Sequence, residues 1–349
     1  MHMTYPLIEG AYVRDLLEQA DALRQTLTLP LPDSLSGIAT LLAGPQPPFL
    51  VLTGMGSSFH ALHPLAIRLA EQGIRATMIE TSELIYYSNG LLGPNTILVV
   101  VSQSGQSAEI LRLLHLNAGR SPIIGVINNP GSPLGKAANA MVLIRAGSEA
   151  SVSCKTYVCT LLALSRIGDV LCSGNSGASS SHHLETVADS VEQYLSNWRD
   201  HVEQAQDCLQ NARHLILAGR GVSLASAGTG GLIVKEAARF PAEGMSAAAF
   251  RHGPLEMVNH RLLLLVFEGA ERSAALNRKL VNDIMEIGGS AQLVSPNSRL
   301  DVFRIPQAPE AFMPILEILP VQMITLALAA RDGFEAGAFT LASKITATE

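Results

Sequence analysis

The first half of the chain alternates short apolar runs with longer segments whose apolar residues recur every three to four positions. Short apolar runs bounded by glycine or polar residues predict β-strands, and the segments between them predict helices. The predicted strands are 49–53, 75–80, 96–101, 122–127 and 141–145. The predicted helices are 59–72, 82–88, 107–118, 132–138 and 154–171. Strands that are apolar throughout, with helices between them, are typical of a parallel sheet covered on both faces.

The second half of the chain repeats this pattern at an offset of 165 residues. FLVLTGMGSS at 49–58 resembles HLILAGRGVS at 214–223, and in both an apolar strand runs into Gly-x-Gly-x-Ser. The same offset carries the apolar run 96–101 onto 261–266. Because one offset relates separate places along the chain, we predict two copies of one α/β domain.

The two copies set the predicted domain boundaries. An N-terminal helix, Val13–Leu27, belongs to a lead-in segment, and a Ser/Gly-rich tract at 172–181 predicts a flexible loop between the copies. An amphipathic helix follows that loop over roughly 184–211. The predicted divisions are the lead-in 1–45, the first domain 46–172, the loop and linking helix 173–212, the second domain 213–335 and the C-terminal tail 336–349.

Composition and charge argue against several classes of protein. Hydrophobic residues make up 48% of the chain but aromatic residues only 5%, which favours helices on a buried sheet over a β-sandwich. The net charge of −6 and the lack of a basic run argue against a nucleic-acid partner. We expect no membrane partner and a cytoplasmic location, because no signal peptide is evident and the apolar runs are shorter than the ~20 residues of a membrane span. The four cysteines show no metal-ligand spacing, so we expect no metal. We also expect no cofactor.

A polar loop, SQSGQS at 102–107, lies between the predicted strand 96–101 and the predicted helix 107–118. Ligands of doubly wound sheets bind where strands end and helices begin, and a helix N-terminus favours an anion. The serine hydroxyls add donors, and Gly105 lets the backbone approach a ligand closely. The alternative is that Ser107 only caps the helix and the rest is an ordinary turn.

A second polar turn, at Ser57 and Ser58, ends the first predicted strand and could reach the same anion. Neither loop contains Lys or Arg and the nucleotide P-loop sequence is absent, which favours the phosphate of a small metabolite. The equivalent place in the second copy carries Glu268 and Glu271, whose carboxylates would repel phosphate. We therefore expect one anion site per chain.

Four motifs in order along the chain resemble the sugar isomerase (SIS) domain family: GMGSSFHA, VSQSGQSAEI, VKEAARFPAEGMSAAAFRHGPLEMV and LASKITATE. The likeness is to its tandem-domain members, which include the isomerase half of glutamine–fructose-6-phosphate aminotransferase, type II glucosamine-6-phosphate deaminases and fructosamine-6-phosphate deglycases. The resemblance implies an α/β fold of two tandem SIS domains, each a doubly wound, flavodoxin-like parallel sheet in three αβα layers. It covers nearly the whole chain and is specific to the family, not to one reaction.

The resemblance also implies a set of site residues. The implied sugar-phosphate contacts are Ser57, Ser58, Ser102, Gln103, Ser104, Ser107, Ser153 and Lys155. The implied catalytic residues are Glu236, which moves protons at the first two sugar carbons, His252, which opens the ring, and Lys344. In the resembled enzymes the histidine of the HGP motif reaches the neighbouring chain, which implies a homodimer with shared active sites.

The residues themselves leave alternatives open. Glu236 suits proton transfer if it is partly buried, but it could instead pair with Lys235 or Arg239 on the surface. His252 lies in a Gly/Pro turn that would expose it, and a histidine can exchange a proton near neutral pH. A lysine five residues from the end, such as Lys344, is usually only solvated.

Departures from the aminotransferase pattern leave the substrate open. Ile233 stands where that pattern has a lysine, Ala249 where it has an acidic residue, and the usual Pro-Arg before the terminal lysine is missing. With no cysteine near residue 1 and no glutaminase domain, we expect no glutamine-dependent transfer. We expect an isomerase, deaminase or deglycase that acts on a phosphorylated amino sugar or fructosamine. The alternative is a non-catalytic sugar-phosphate sensor.

Overall fold

The computed structural model describes residues 8–173, 178–341 and 344 of the 349-residue chain. The described residues divide into two compact units, each with its own parallel sheet. The first sheet unit contains the described residues of Asp21–Ser148, Lys155–Glu185 and Ala342–Glu349. The second sheet unit contains those of Met1–Ala20, Glu149–Cys154 and Thr186–Leu341. The domain boundaries expected from the sequence stay a prediction.

Each sheet is parallel throughout, and its central strands are buried. The first sheet has the strand order β2-β1-β3-β4-β5, with β1 Phe49–Thr53, β2 Ala76–Met78, β3 Thr96–Val101, β4 Ile123–Ile127 and β5 Ala140–Leu143. The second has the order β7-β6-β8-β9, with β6 His214–Gly219, β7 Ala242–Ser246, β8 Leu262–Phe267 and β9 Ser290–Val294. The first order is that of a flavodoxin-like doubly wound sheet. The predicted fold class, two tandem α/β sheets flanked by helices, is confirmed.

The second sheet is one strand shorter than the first in the described part of the chain. After β9 the backbone makes an isolated bridge between Ser295 and Arg304 and a short 3₁₀ turn at Asp301–Phe303, and then enters a long helix. The expectation that the second copy repeats the whole strand pattern of the first is therefore wrong at its last strand.

Helices cover the sheets and connect their strands. They are α1 Ala11–Leu17, α2 Gln19–Leu27, α3 Ser34–Leu42, α4 Ser57–His60, α5 His63–Glu71, α6 Thr81–Tyr86, α7 Ala108–Asn117, α8 Pro133–Ala137, α9 Lys155–Ser173, α10 Ala178–Ser196, α11 Trp198–Leu209, α12 Leu224–Ala238, α13 Ala247–Phe250, α14 Glu271–Glu286 and α15 Met313–Asp332. The helix predicted over Val13–Leu27 is two helices, α1 and α2, and the helix predicted over 59–72 is likewise α4 and α5.

The linking region also differs from its prediction. Helix α9 runs to Ser173 and α10 begins at Ala178, so helix occupies both ends of the tract that was predicted to be a loop, while residues 174–177 lie outside the described part. The helix predicted over 184–211 breaks at Asn197, whose backbone leaves the helical conformation at φ −106° and ψ 21°.

Helix α15 is a long apolar helix of the second sheet unit. Its residues from Pro314 to Ala329 are buried, and the segment Glu310–Asp332 is long and apolar enough by composition to cross a membrane. Most of that segment is buried inside the protein, which is the pattern of a core helix. The cytoplasmic location expected from the sequence stays a prediction.

Candidate active site

The loop 102–107 follows β3 at the edge of the first sheet where helices begin. The Asn128 N–H donates to the Gln103 carbonyl (3.2 Å) and the Leu134 N–H donates to the Gly105 carbonyl (3.1 Å). Gly105 has φ +63°, and a Cβ there would lie 2.8 Å from the Cβ of Ser132. Two backbone hydrogen bonds therefore hold the loop 102–107 against the segment that leads from β4 into α8. Only glycine fits at position 105, the centre of the loop 102–107.

The serines of this loop use their oxygens as acceptors inside the loop. The Ser102 Oγ accepts from the Gly105 N–H (3.1 Å), and the Ser104 Oγ accepts from the Gln106 N–H (3.3 Å). Both hydroxyl protons remain for donation to a ligand. Ser107 holds the N-cap position of α7, but its side chain makes no cap hydrogen bond, so the reading of Ser107 as a simple side-chain cap is wrong.

The turn after β1 lies next to the loop 102–107. Gly54 has so little room that a Cβ there would be 3.1 Å from the Val101 carbonyl oxygen at the end of β3. Gly56, at φ +53°, turns the chain into α4, which begins with buried Ser57 and half-buried Ser58. Since β1 and β3 are neighbours in the sheet, both serine turns lie at one edge, beside the point where the strand order reverses.

Lys155 is the basic residue that the resemblance adds to the first sheet unit. It is the first residue of α9, its side chain is almost completely buried, and its Nζ donates to the Ser148 carbonyl (2.8 Å). Ser153 lies two positions earlier but falls in the second sheet unit, within Glu149–Cys154.

Glu236 lies half-buried in the last turn of α12, in the second sheet unit. Next to it in sequence, the Ala237 carbonyl accepts from the Gly337 N–H (3.0 Å), which brings the chain after α15 to the end of α12. A Cβ at Gly337 would lie 2.9 Å from the Ser151 Oγ and 2.9 Å from the Tyr12 Cβ. The end of α12, the segment that carries Ser153, helix α1 and the C-terminal chain therefore meet in one place.

The pKa of the Tyr12 hydroxyl reflects the charged groups around this place. Burial raises the pKa of Tyr12 well above its usual range, and electrostatic interactions with Cys154, Glu236 and Glu149 raise it further, while a hydrogen bond from the Thr325 hydroxyl (3.5 Å) lowers it. The side chains of Cys154, Glu149 and Glu236 therefore all lie within electrostatic range of the buried Tyr12 hydroxyl.

His252 is exposed, as the sequence predicts, in the turn that follows α13. Its N–H donates to the Ala249 carbonyl (2.9 Å), and Gly253 follows with φ +127°. Lys344 is half-buried, while residues 342–343 and 345–349 lie outside the described part. The structure brings the serine turns together and places Glu236 and His252 in the other unit.

Several residues near these places were not anticipated. Ser132 supports Gly105 and caps α8 by accepting from the Gly135 N–H (3.2 Å); its position before Pro133 is a helix-start signal that could have found it. Glu109, in the first turn of α7, is buried, and its Oε2 has no hydrogen-bond partner among the described residues. No spacing in the sequence indicates that Glu149 and Glu236 both lie near Tyr12.

The two sheets define a tandem of flavodoxin-like α/β units. The sequence pattern of the SIS domain matches residues 48–167 and 208–331, segments that include both sheets. The chain belongs to the SIS domain family.

Relatives and structural neighbours agree with this membership. Glutamine–fructose-6-phosphate aminotransferase [isomerizing] of Corynebacterium diphtheriae is 26% identical over 305 residues, which are 82% of this chain and 49% of the relative. The chain thus spans about half the length of the curated relatives it matches. The C-terminal domain of glucosamine-fructose-6-phosphate aminotransferase from Francisella tularensis superimposes with a TM-score of 0.83 at 20% identity, covering 94% of this chain and 98% of that one. Glucosamine-6-phosphate deaminase from Thermotoga maritima gives a TM-score of 0.72 at 16% identity, with coverages of 93% and 96%. These two likenesses show the shared fold.

Proposed function

We propose that this protein is a phosphosugar isomerase or deaminase that moves protons between the first two carbons of a phosphorylated amino sugar or fructosamine. The observation that carries the proposal is the loop 102–107, held at the sheet edge with its serine hydroxyls free to donate and its backbone leading into the N-terminus of α7. Such a site suits the phosphate group of a small metabolite.

Phosphate binding in this proposal uses hydroxyl and N–H donors without a guanidinium. Ser104 and Ser107 donate from the loop after β3, and Ser57 and Ser58 donate from the turn after β1. The first N–H groups of α7 add donors and partial positive charge. Each hydrogen bond to a charged group contributes about 1.5–3 kcal/mol, so a few suffice to hold a phosphorylated sugar.

The chemical steps use residues whose roles the family resemblance suggests. His252 exchanges a proton with the ring oxygen, which opens the ring. Glu236 takes the proton from one of the first two carbons and returns it to the other, a role that a half-buried carboxyl suits. The Lys344 amine attacks the open-chain carbonyl and expels water, leaving an imine that stabilises the carbanion.

The names of the relatives support the same chemistry. The curated relative is named an isomerizing aminotransferase of fructose 6-phosphate, and a neighbour of the same fold is named a glucosamine-6-phosphate deaminase. Both names describe work at the first two carbons of a phosphorylated hexose that carries or receives an amine. A homodimer with shared active sites is part of this proposal.

A substrate panel tests the proposal. The purified chain is incubated with phosphorylated amino sugars and fructosamines in D₂O while ammonia, released amino acid and deuterium at the first two carbons are measured. We expect deuterium exchange with at least one substrate, and borohydride should trap a ketose phosphate on Lys344 but not in Lys344→Ala. The exposed Lys279 serves as the matched control, because Lys279→Ala should react as the wild type does. Tight binding of a phosphorylated sugar without exchange or release would instead support the sensor alternative.

A further inference from the structure

The second sheet unit contains a cavity of about 580 Å³ at the carboxyl ends of β8 and β9. It is lined by the turn Glu268–Glu271 between β8 and α14, one face of α14, the loop Val294–Asn297 after β9, the segment 305–310, and the start of α15 as far as Glu317. The turn after β8 corresponds in strand order to the serine loop after β3. The cavity thus occupies the edge where doubly wound sheets bind ligands, and its volume lies within the roughly 300–1,000 Å³ of small-molecule sites.

The charged groups of this cavity are mostly carboxylates. In the described lining Glu268, Glu271, Glu310 and Glu317 face a single guanidinium, that of Arg278. Glu268 accepts from Arg278, and Glu310 accepts from Arg272, which lies outside the lining. Glu271 is exposed and forms no ion pair within the described part of the chain. Because arginines pair with Glu268 and Glu310, the uncompensated negative charge of the lining belongs to Glu271 and to the ionised form of Glu317. That charge disfavours phosphate and favours a cation.

Glu317 is the buried carboxyl of the cavity. The Ser223 hydroxyl donates to its Oε1 (2.7 Å), and the Ser226 hydroxyl donates to its Oε2 (2.6 Å). Burial raises the pKa of Glu317 to about 7, although both hydroxyl bonds lower it. The charged groups that share the cavity are the three other glutamates and Arg278, while Arg220, at the end of β6, is bonded through Nε to Asn277 (3.1 Å).

The uncharged lining offers both hydrogen bonds and apolar contact. Ser295, Asn297 and Gln307 supply a hydroxyl and two amides that can donate or accept. Met313, Leu316 and Ile305 supply apolar surface. A ligand for this lining combines hydroxyl groups, a compact carbon skeleton and a positive charge.

We propose that this cavity is a second binding site, which takes a small hydroxylated primary amine of the amino sugar class that carries no phosphate. The ammonium group balances the carboxylates of Glu271 and Glu317, and the hydroxyls meet Ser295, Asn297 and Gln307. The site belongs to the second sheet and uses none of the residues assigned to sugar-phosphate binding or catalysis.

Calorimetric titration of the full chain with glucosamine hydrochloride tests this site. We expect saturable binding, and N-acetylglucosamine, which has the same ring without the charge, should bind at least about ten-fold more weakly because a charge-assisted hydrogen bond is lost. Glu271→Gln should weaken glucosamine binding by a similar factor. Glu286→Gln, the same change at the other, exposed end of α14, should leave it unchanged.

Proton release supplies a second, independent readout. An ammonium beside Glu317 lowers the pKa of its carboxyl, so binding near pH 7 should release a fraction of a proton, seen as a dependence of the binding heat on the ionisation enthalpy of the buffer. Glu317→Gln should abolish that dependence. If Glu317→Gln does not fold, the Glu271→Gln comparison still decides.

Two outcomes would overturn the proposal. Equal binding of glucosamine to the wild type and Glu271→Gln would show that the cavity is not the site. Loss of glucosamine binding in the double variant Ser104→Ala/Ser107→Ala would place it at the first sheet. Failure of the proposed function would appear as absent turnover of phosphorylated substrates. It would not alter the glucosamine titrations, so the two failures are distinguishable.

Discussion

Gly105 lies directly against Ser132: a Cβ on residue 105 would be 2.8 Å from the serine Cβ and closer still to its Oγ. The two residues belong to the loops after β3 and β4, and their contact fixes how far the serine loop stands from the sheet edge. Since Ser132 also caps α8, it cannot move without losing that bond.

Gly105→Ala should therefore weaken phosphate binding as well as stability. Alanine at φ +63° costs roughly 1–2 kcal/mol of backbone strain, and the clash with Ser132 adds to that cost. We expect a lower melting temperature and at least about ten-fold weaker binding of a sugar phosphate, measured by thermal unfolding and calorimetry.

Gly119 provides the matched control for Gly105. It has φ +77°, and a Cβ there would meet nothing within 4 Å. Gly119→Ala therefore has the backbone strain of a positive φ but no steric clash like that of Gly105→Ala with Ser132. We expect Gly119→Ala to bind phosphorylated sugar as the wild type does. Equal loss of binding in both variants would mean that general destabilisation, and not the position of the loop, is responsible.

The double variant Ser104→Ala/Ser107→Ala tests the hydroxyl donors directly. Loss of even one hydrogen bond to a charged group costs about 1.5 kcal/mol or more, so the dissociation constant for a sugar phosphate should rise at least about ten-fold. Ser190→Ala removes an exposed hydroxyl on α10 that donates to the Thr186 carbonyl, and it should change nothing. Unchanged affinity in the double variant would disprove the phosphate assignment of the loop.

The serine loop could be found from the sequence because its signals are local. Strands β1 and β3 have the predicted bounds, since a fully buried strand is an unbroken apolar run between polar residues. Strand β2 is only half-buried, and three residues form where six were predicted. The break between α10 and α11 at Asn197 could not be predicted, because the apolar periodicity continues on both sides of it.

Other features depend on contacts between distant segments. Ser132 approaches Gly105, and Tyr12 comes near Glu236, only because the fold brings separate strands and helices together. The sequence around Glu317 does contain a local indication, because Glu317 is the single charged residue in the apolar stretch PILEILP. That signal predicts a buried carboxyl but not its partners Ser223 and Ser226.

Mixed variants test whether active sites are shared between chains. If His252 acts in the neighbouring chain's site, inactive Glu236→Gln mixed with inactive His252→Ala should recover part of the wild-type activity, since random hybrid dimers contain one intact site. His260→Ala is the control, because His260 is an exposed histidine in the same unit and its loss should leave activity intact. A monomer at micromolar concentration, or no recovery after verified subunit exchange, would contradict the shared site.

Stability should depend on pH through Glu317. Its pKa is raised from 4.5 to about 7 in the folded protein, so between these values the folded state holds a proton that the unfolded state has lost. The free energy of unfolding therefore falls as pH rises from about 4.5 to about 7. Above pH 7 it stays lower by the full cost of ionising the buried Glu317 carboxyl, about 3 kcal/mol. In Glu317→Gln the amide can accept from one serine and donate to the other without any charge, so this pH-dependent part should vanish.

Denaturant unfolding at pH 5, 6, 7 and 8 measures this part as the difference in unfolding free energy between the wild type and Glu317→Gln. Glu286→Gln, an exposed change of the same kind, should follow the wild type. If the wild-type and Glu317→Gln curves run parallel over this range, Glu317 is already ionised in the folded protein, and the proton release expected when an amine binds in the cavity would be lost with it.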